Sequence, residues 1–482
     1  MPQDLPDVPT QLSIGGVWRD GSAGETIDVI DPATEAVIAR VASASVGDGH
    51  AALDAADAAF ADWAARTPRD RGEVLRKAFT LMIDDRERLA RIMTLENGKA
   101  LSDSRVEITY AAEFFRWYAE EAVRNIGEVM HSPTTDARIL VHHKPAGIAV
   151  LVTPWNFPTA MGTRKIGPAL AAGCPVIVKP ASETPLSMLA LMPILEEAGL
   201  PPGVVNVIPT RHPGPVVDSL LDDMRVRVLS FTGSTGVGRT LLKAAARNIV
   251  NPSMELGGNA PFIVCHDADI DAAVDGAMLA KMRNIGEACT AANRILVDAR
   301  VHDAFANKLT DRMAALAMGN GLDKGVAVGA LVSSRARETV HAFVTDALAK
   351  GATLRTGGTI PPGSGFFYPP TVLTDVPDTA DCIHGEIFGP VAVLQSFADE
   401  DEAIAKANAT DQGLTAYLYT QDLKRGLTLS ERLAFGMVGL NRGIVSDPAA
   451  PFGGVKQSGI GREGGHEGLM EFLETQYIAV SW

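Results

Sequence analysis

Short runs of alternating apolar and polar residues open the chain, with Ile27 and Val29 set against Thr26 and Asp28 and with turn signals at Gly15-Gly16 and Asp20-Gly21. This period of two predicts β-strands between residues 11 and 45. The run 37–41 reads as a further strand, although apolar Ile38 breaks its alternation. Helical patterns follow at 47–65, 69–97 and 101–125. In the second, Leu75, Phe79, Met82, Leu89, Ile92 and Met93 recur at helical spacing, and Gly98 follows as a stop signal. These helices are expected to cover a sheet.

From 127 to 145 the pattern turns extended again, with Ile139 and Val141 alternating against Arg138 and His142 around apolar Leu140. β-Rich runs at 148–153, 176–179, 204–208 and 228–232 then alternate with helical segments, the signature of βαβ units and a parallel sheet. A second alternation runs from Pro261-Phe262-Ile263-Val264 to about residue 455, through Ile295-Leu296-Val297 and Val391-Ala392-Val393-Leu394. Tyr477-Ile478-Ala479-Val480 is a strand without a local partner, so it is expected to pair with the 127–145 excursion or with another subunit. The expected fold is α/β.

Composition adds exclusions. At 482 residues the chain exceeds what one hydrophobic core organises. Its 46% hydrophobic and 21% charged residues are those of an ordered globular protein. A formal net charge of −15, with no basic block, argues against nucleic-acid binding. The segment MPQDLPDVPT lacks the basic and apolar parts of a leader, and no apolar run is long enough to span a membrane, so a cytoplasmic protein is expected. Cys174, Cys265, Cys289 and Cys382 are too dispersed for a disulfide framework or a metal site and are expected as free thiols.

Certain segments carry candidate chemistry. Gly286-Glu287-Ala288-Cys289-Thr290 sets a thiol just before the strand-like run 294–297. A lone cysteine is ordinarily a small buried hydrophobe, so its surroundings must decide its role. Glu255-Leu256-Gly257-Gly258-Asn259 places a carboxylate beside glycines that allow close backbone approach. Thr153-Pro154-Trp155-Asn156-Phe157-Pro158 closes the first strand of the parallel sheet, where open α/β folds bind ligands, and Asn156 there is placed to donate to a developing oxyanion. Lys179-Pro180-Ala181-Ser182 ends the next strand. Phe231-Thr232-Gly233-Ser234-Thr235-Gly236-Val237-Gly238 links a strand to a helix N-terminus able to receive a phosphate, though its glycine spacing is not G-x-G-x-x-G.

Together with Glu386-Ile387-Phe388-Gly389-Pro390 and Pro451-Phe452-Gly453-Gly454, these segments resemble the aldehyde dehydrogenase superfamily, in the family's order and over nearly the whole chain. The resemblance implies a Rossmann-type cofactor domain over 1–126 and 146–256, an α/β catalytic domain over 257–460, and a small β oligomerisation extension from strands 127–145 and 470–482, in a homodimer or homotetramer. It implies that Cys289 attacks an aldehyde, that Asn156 and the Cys289 backbone N–H hold the oxyanion, and that Glu255 activates the water that hydrolyses the thioester. The cofactor is then expected on Thr153, Pro154, Trp155, Lys179, Ser182, Gly233, Ser234, Glu255, Glu386 and Phe388. In this pattern Lys179 bonds the adenosine ribose, Ser234 the pyrophosphate and Glu386 the nicotinamide ribose, with Phe388 near the ring. Glu463 matches a carboxylate that joins a proton relay in some relatives.

Arg164, Arg283 and Ser446, with Phe157, match the substrate tunnel, and the Arg, Arg, Ser set is similar to that of succinate-semialdehyde dehydrogenases. Guanidinium groups in such a tunnel call for an anion, which points to an aldehyde with a distal carboxylate unless the arginines make internal salt bridges. Succinate semialdehyde is expected; glutarate or another ω-carboxylated semialdehyde, or a broad range of aldehydes, is the alternative. Ser182 stands where many NAD-preferring relatives carry a glutamate, so NADP is expected to be favoured, with NAD possible. Ala291 replaces the second cysteine of redox-regulated relatives, and Glu287 replaces a common glutamine, adding a carboxylate that would raise the Cys289 pKa if it pointed inward. The presence of Glu255 argues against transfer of the thioester to CoA, and the intact Cys289, Glu255 and Asn156 set against a non-catalytic protein.

Overall fold

The computed structural model describes residues 5–481. Its first sheet has eight strands in the order Gly459–Ile460, Asn251–Glu255, Val226–Thr232, Ile148–Val152, Val176–Lys179, Val205–Val207, Leu12–Ile14 and Val17–Arg19. The five strands from Asn251–Glu255 to Val205–Val207 are parallel, and antiparallel strands flank them on both sides. Such strands are buried on both faces, which is why Ile148–Val152 is an unbroken apolar run. From Ile148–Val152 the chain builds outward first through 176–179 and 205–207, then returns to add 226–232 on the other side. That reversal is a topological switch point, where loops diverge and leave a crevice. Register pairs Val152 with Lys179 and Thr232 with Glu255, so four segments carrying site residues end along one carboxyl edge.

The second sheet has seven strands, Thr353–Thr356, Thr371–Thr374, Val391–Phe397, Ala292–Asp298, Ala260–Val264, Thr415–Tyr419 and Met437–Leu440. Cys289 lies three residues before Ala292–Asp298, and Glu255 ends a strand of the first sheet. The two main site segments therefore come from different sheets.

The N-terminal helices cover the first sheet, with Leu75, Met82, Met93, Phe114 and Phe115 in one core with Leu151 and Val178. Val46–Ala65 begins with a capping box of Ser45 and Asp48, and Pro68–Asp84 begins at Thr67 with a proline in its first turn. The single helix expected over 69–97 is two helices, Pro68–Asp84 and Arg86–Asn97. Between them Asp85 adopts φ −97° and ψ 12°, and its carboxylate is forked by Arg88. Apolar spacing continues across this junction because both helices face the same core, so periodicity alone does not reveal it. The helix expected over 101–125 is Leu101–Glu121, followed by a 3₁₀ turn at Ala122–Arg124.

The C-terminal strand Leu473–Val480 pairs antiparallel with Arg138–Pro145, Val480 opposite Arg138 and Leu473 opposite Pro145. Glu128–His131 completes this three-stranded sheet, so the strand without a local partner joins the 127–145 excursion of its own chain. No helix among the described residues is long and apolar enough to cross a membrane.

Candidate active site

The loop that carries Cys289 is held in an unusual backbone. After helix Ile270–Met282, Asn284, Ile285 and Gly286 take φ values of 53°, 60° and 78°. A β-branched residue in the left-handed region is unfavourable, costing on the order of 1–3 kcal/mol, and persists only where contacts over-determine it. Here the Asn284 side-chain amide donates to the carbonyls of Asn156, at 3.0 Å, and Glu287, at 2.8 Å. Tyr417 Oη donates to the Thr290 carbonyl at 2.8 Å. Glycines complete the fit: a Cβ on Gly286 would lie 2.3 Å from the Gly389 carbonyl oxygen, and one on Gly258 would lie 2.4 Å from that of Cys289. The second glycine of Leu256-Gly257-Gly258 is therefore required by the close approach of the loop that carries Cys289.

Cys289 shares a cavity with Asn156, Trp155, Gly233, Ser234, Glu386 and Phe388. Asn156 Nδ2 donates to the Glu287 carbonyl at 3.0 Å, which leaves its second N–H for a group in the cavity. Burial pushes the Cys289 thiol up to about 12; Glu386 and Glu255 add to the shift, and Arg164 and Arg283 oppose it. Glu287 is not among the main causes of that shift. Its Oε1 instead accepts from the Val332 N–H at 3.1 Å, so the substituted carboxyl points away from the thiol, and burial pushes it up to about 8.

Glu255 is buried, and neither carboxylate oxygen has a hydrogen-bond partner. Burial, then the charge of Glu463, push its pKa well above the carboxylate range. Glu463 shows the opposite balance: burial raises it, but Lys165 and Arg164 outweigh burial and hold it below the usual range. Lys165 donates to Glu463 Oε1, while Arg164 pairs with Oε2 at 3.3 Å. Glu463 is thus paired and held toward its charged form, beside an unpaired Glu255 whose neutral form burial favours.

Elsewhere around the cavity, Ser234 caps helix Thr235–Ala245 by accepting from Val237 N–H, and the helix starts at the carboxyl end of Val226–Thr232. Thr232 Oγ1 is buried without a partner at the same cavity. Glu386 accepts from the Gly258 N–H at 3.2 Å and is pushed up to about 7 by burial. Phe388, at φ 54°, packs edge-on against Trp155 with ring centroids 5.4 Å apart. Lys179 and Ser182 lie outside this cavity. Lys179 closes the neighbouring strand, its carbonyl accepting from Thr153 N–H, and burial lowers its pKa against the opposing charge of Glu183. Ser182 Oγ donates to the Thr210 carbonyl at 3.1 Å.

The residues expected on the substrate side divide. Arg164 has an internal carboxylate partner in Glu463 and also donates to Tyr110 Oη at 2.6 Å. Arg283 donates to Ser446 Oγ at 3.4 Å and lies over Phe157 and Tyr110, its guanidinium carbon 4.9 and 5.6 Å from their ring centroids. Among the described residues no carboxylate forms an ion pair with Arg283. Sequence reasoning missed Tyr110, which touches both arginines. It sits four residues before Phe114 on Leu101–Glu121, so helical spacing assigns it to packing.

The family model for the aldehyde dehydrogenase family matches residues 18–478, and the chain belongs to that family. It is 52% identical over 445 residues to a succinate-semialdehyde dehydrogenase of Paenarthrobacter nicotinovorans, covering 92% of this chain and 99% of the relative. It is 47% identical over 471 residues to a glutarate-semialdehyde dehydrogenase of Pseudomonas putida, covering 98% of each. A crystal structure of an NADP dependent enzyme of Escherichia coli superposes with a TM-score of 0.97 at 46% identity, covering 99% of this chain and 100% of that one.

Proposed function

We propose that this chain oxidises an aldehyde bearing a distal carboxylate to the free acid, using NADP or NAD, with succinate semialdehyde as its substrate. The observation that carries the reading is Arg283: a guanidinium with no carboxylate ion-pair partner, bonded to Ser446 and within electrostatic reach of the Cys289 thiol. Asp103 reaches Arg283 only through longer-range charge, and a carboxylate ligand would supply the direct ion pair through paired N–H donors. The semialdehyde dehydrogenases among its relatives support the same class, and the P. putida relative makes glutarate semialdehyde the second reading. The two substrates differ by one methylene, worth about 1–3 kcal/mol in a pocket.

In this reading Cys289 Sγ gives its proton to water and bonds to the aldehyde carbon, and the oxyanion is held by the free Asn156 N–H and the Cys289 backbone N–H. Collapse of the oxyanion breaks the C–H bond, expelling hydride and leaving a Cys289 thioester. The bound dinucleotide supplies a hydride acceptor. Gly233, Ser234 and the helix N-terminus would hold its phosphates, Glu386 and, from outside the cavity, Lys179 would hold its riboses, and Trp155 and Phe388 would pack near its ring. Pro154 lines the same cavity and Thr153 N–H bonds the Lys179 carbonyl, while Ser182 brings no charge that would repel a ribose 2′-phosphate held by Lys179. Glu255 takes a proton from water, which splits the Cys289 thioester and releases the acid and the thiol. Glu255 must lose its proton first, so Glu463 governs its readiness through charge.

The first sheet then serves as the cofactor unit and the second as the catalytic unit. Exposed Val129, Tyr477 and Ile478 on the three-stranded sheet support a homodimer or homotetramer, and four free cysteines suit the cytoplasm. The test is a spectrophotometric screen of ω-carboxylated and neutral aldehydes with both dinucleotides, alongside Cys289→Ser. Succinate semialdehyde is expected to give the highest kcat/KM, and Cys289→Ser no turnover. Equal efficiency on neutral aldehydes would overturn the substrate assignment.

A further inference from the structure

A buried cation behind the active site has no part in the chemistry above. Lys99 is fully buried, and its Nζ donates to the Asn156 carbonyl at 2.6 Å and to Glu107 Oε2 at 2.7 Å, while lying 4.6 Å from the Phe157 ring centroid. Glu107 Oε1 accepts in turn from the backbone N–H groups of Thr159, at 3.1 Å, and Ala160, at 3.2 Å. Those donors open helix Ala160–Ala172, which carries Arg164 and Lys165. The Asn156 carbonyl has a second donor, the Asn284 side chain, which also bonds the Glu287 carbonyl that receives Asn156 Nδ2. Asn156 is therefore gripped at both ends by one buried network.

We propose that Lys99 and Asn284 are positioning residues for the oxyanion donor, acting through the Asn156 carbonyl without touching the substrate. The inference rests on the reading of Asn156 as that donor. An isolated buried ammonium is costly, and this one is satisfied by a carboxylate and a carbonyl. The reason to bury it here is geometric. Beyond Thr153, whose N–H still bonds the Lys179 carbonyl, the segment has left the sheet, so the direction of the Asn156 amide depends on what holds its own backbone.

The test is a double-mutant cycle of Lys99→Met and Asn156→Ala, reading the single-turnover rate of cofactor reduction, the aldehyde KM and the cofactor Kd. Methionine keeps an unbranched chain against Phe157 while removing the charge. Asn156→Ala is expected to slow the hydride step by about a hundredfold, as loss of an oxyanion donor does, and Lys99→Met by about tenfold. Aldehyde KM and cofactor Kd should stay within about twofold of the parent. In the Asn156→Ala background, Lys99→Met should change the rate by less than about twofold, because its route is already cut. Equal losses in both backgrounds, or no loss in either, would overturn the proposal. If Asn156→Ala alone leaves the hydride step unaltered, the oxyanion reading itself fails. Should Lys99→Met not fold, Asn284→Gly runs the same cycle, since glycine retains the left-handed backbone while removing the side chain that bonds the Asn156 carbonyl.

Discussion

Arg164 and Glu463 form an ion pair at 3.3 Å with both side chains almost completely buried. The pairing separates the two arginines of the substrate side. Arg164 already has its ion-pair partner, whereas Arg283 has a hydroxyl, two aromatic faces and only the longer-range charge of Asp103.

Arg283→Ala is therefore expected to raise KM for succinate semialdehyde by about tenfold to a hundredfold, with little effect on a neutral aldehyde of similar length. Arg164→Ala should impair both substrates, because it also strips Glu463 of a partner beside Glu255. Steady-state kinetics on the paired substrates decide the matter; a uniform loss for Arg283→Ala would refute the assignment.

Glu463→Gln removes the negative charge that raises Glu255 and leaves Lys165 and Arg164 to lower it. Glu255 acts as a base only when ionised, so its rising limb should move toward lower pH, by about one unit or more. The pH profile of thioester hydrolysis is the measurement, and an unmoved or upward-shifted limb contradicts the coupling.

Glu255→Gln keeps the shape of the side chain and removes the base. Stopped-flow absorbance should show a burst of reduced cofactor approaching one per site, followed by turnover slowed by about a hundredfold to ten-thousandfold. Loss of the burst itself would place Glu255 in an earlier step.

Glu287 is held protonated up to about 8, well above its value in an unfolded chain. The folded state thus holds the proton more tightly, so this carboxyl costs stability progressively as pH rises through that interval and levels off above about 8. Glu287→Gln has no such term. Its Tm advantage over the parent should widen from pH 6 to pH 8, and a constant difference across that range would show that the group is not buried in this way.

Ser182→Glu places a carboxylate near Lys179, where Glu183 already acts. The ratio of kcat/KM for NADP over that for NAD is expected to fall by about tenfold or more. An unchanged ratio would mean that the ribose 2′-position lies elsewhere.

Much of the fold was legible because burial writes itself into local patterns. The apolar run 148–152 and its successors announce parallel strands whatever they pair with, and the glycines of Leu256-Gly257-Gly258 mark a close approach before its partner is known. The break at Asp85 was not legible, since two helices on one core keep the same spacing. Tyr110 and Lys99 were hidden for a related reason. Their roles depend on residues 54 and 57 positions away, Arg164 and Asn156, which no local window contains.

By itself, then, the sequence determined the α/β architecture, the candidate set of Cys289, Asn156 and Glu255, and the demand for an anion near the arginines, all of which follow from residue type and short-range order. Only the tertiary structure decided which charges meet. It gave Glu463 to Arg164 and Lys165, left Arg283 to Ser446, and turned Glu287 toward Val332 and away from the thiol. Charge pairing is settled by distances of a few ångströms between side chains from different elements, and those distances exist only once the two sheets are packed.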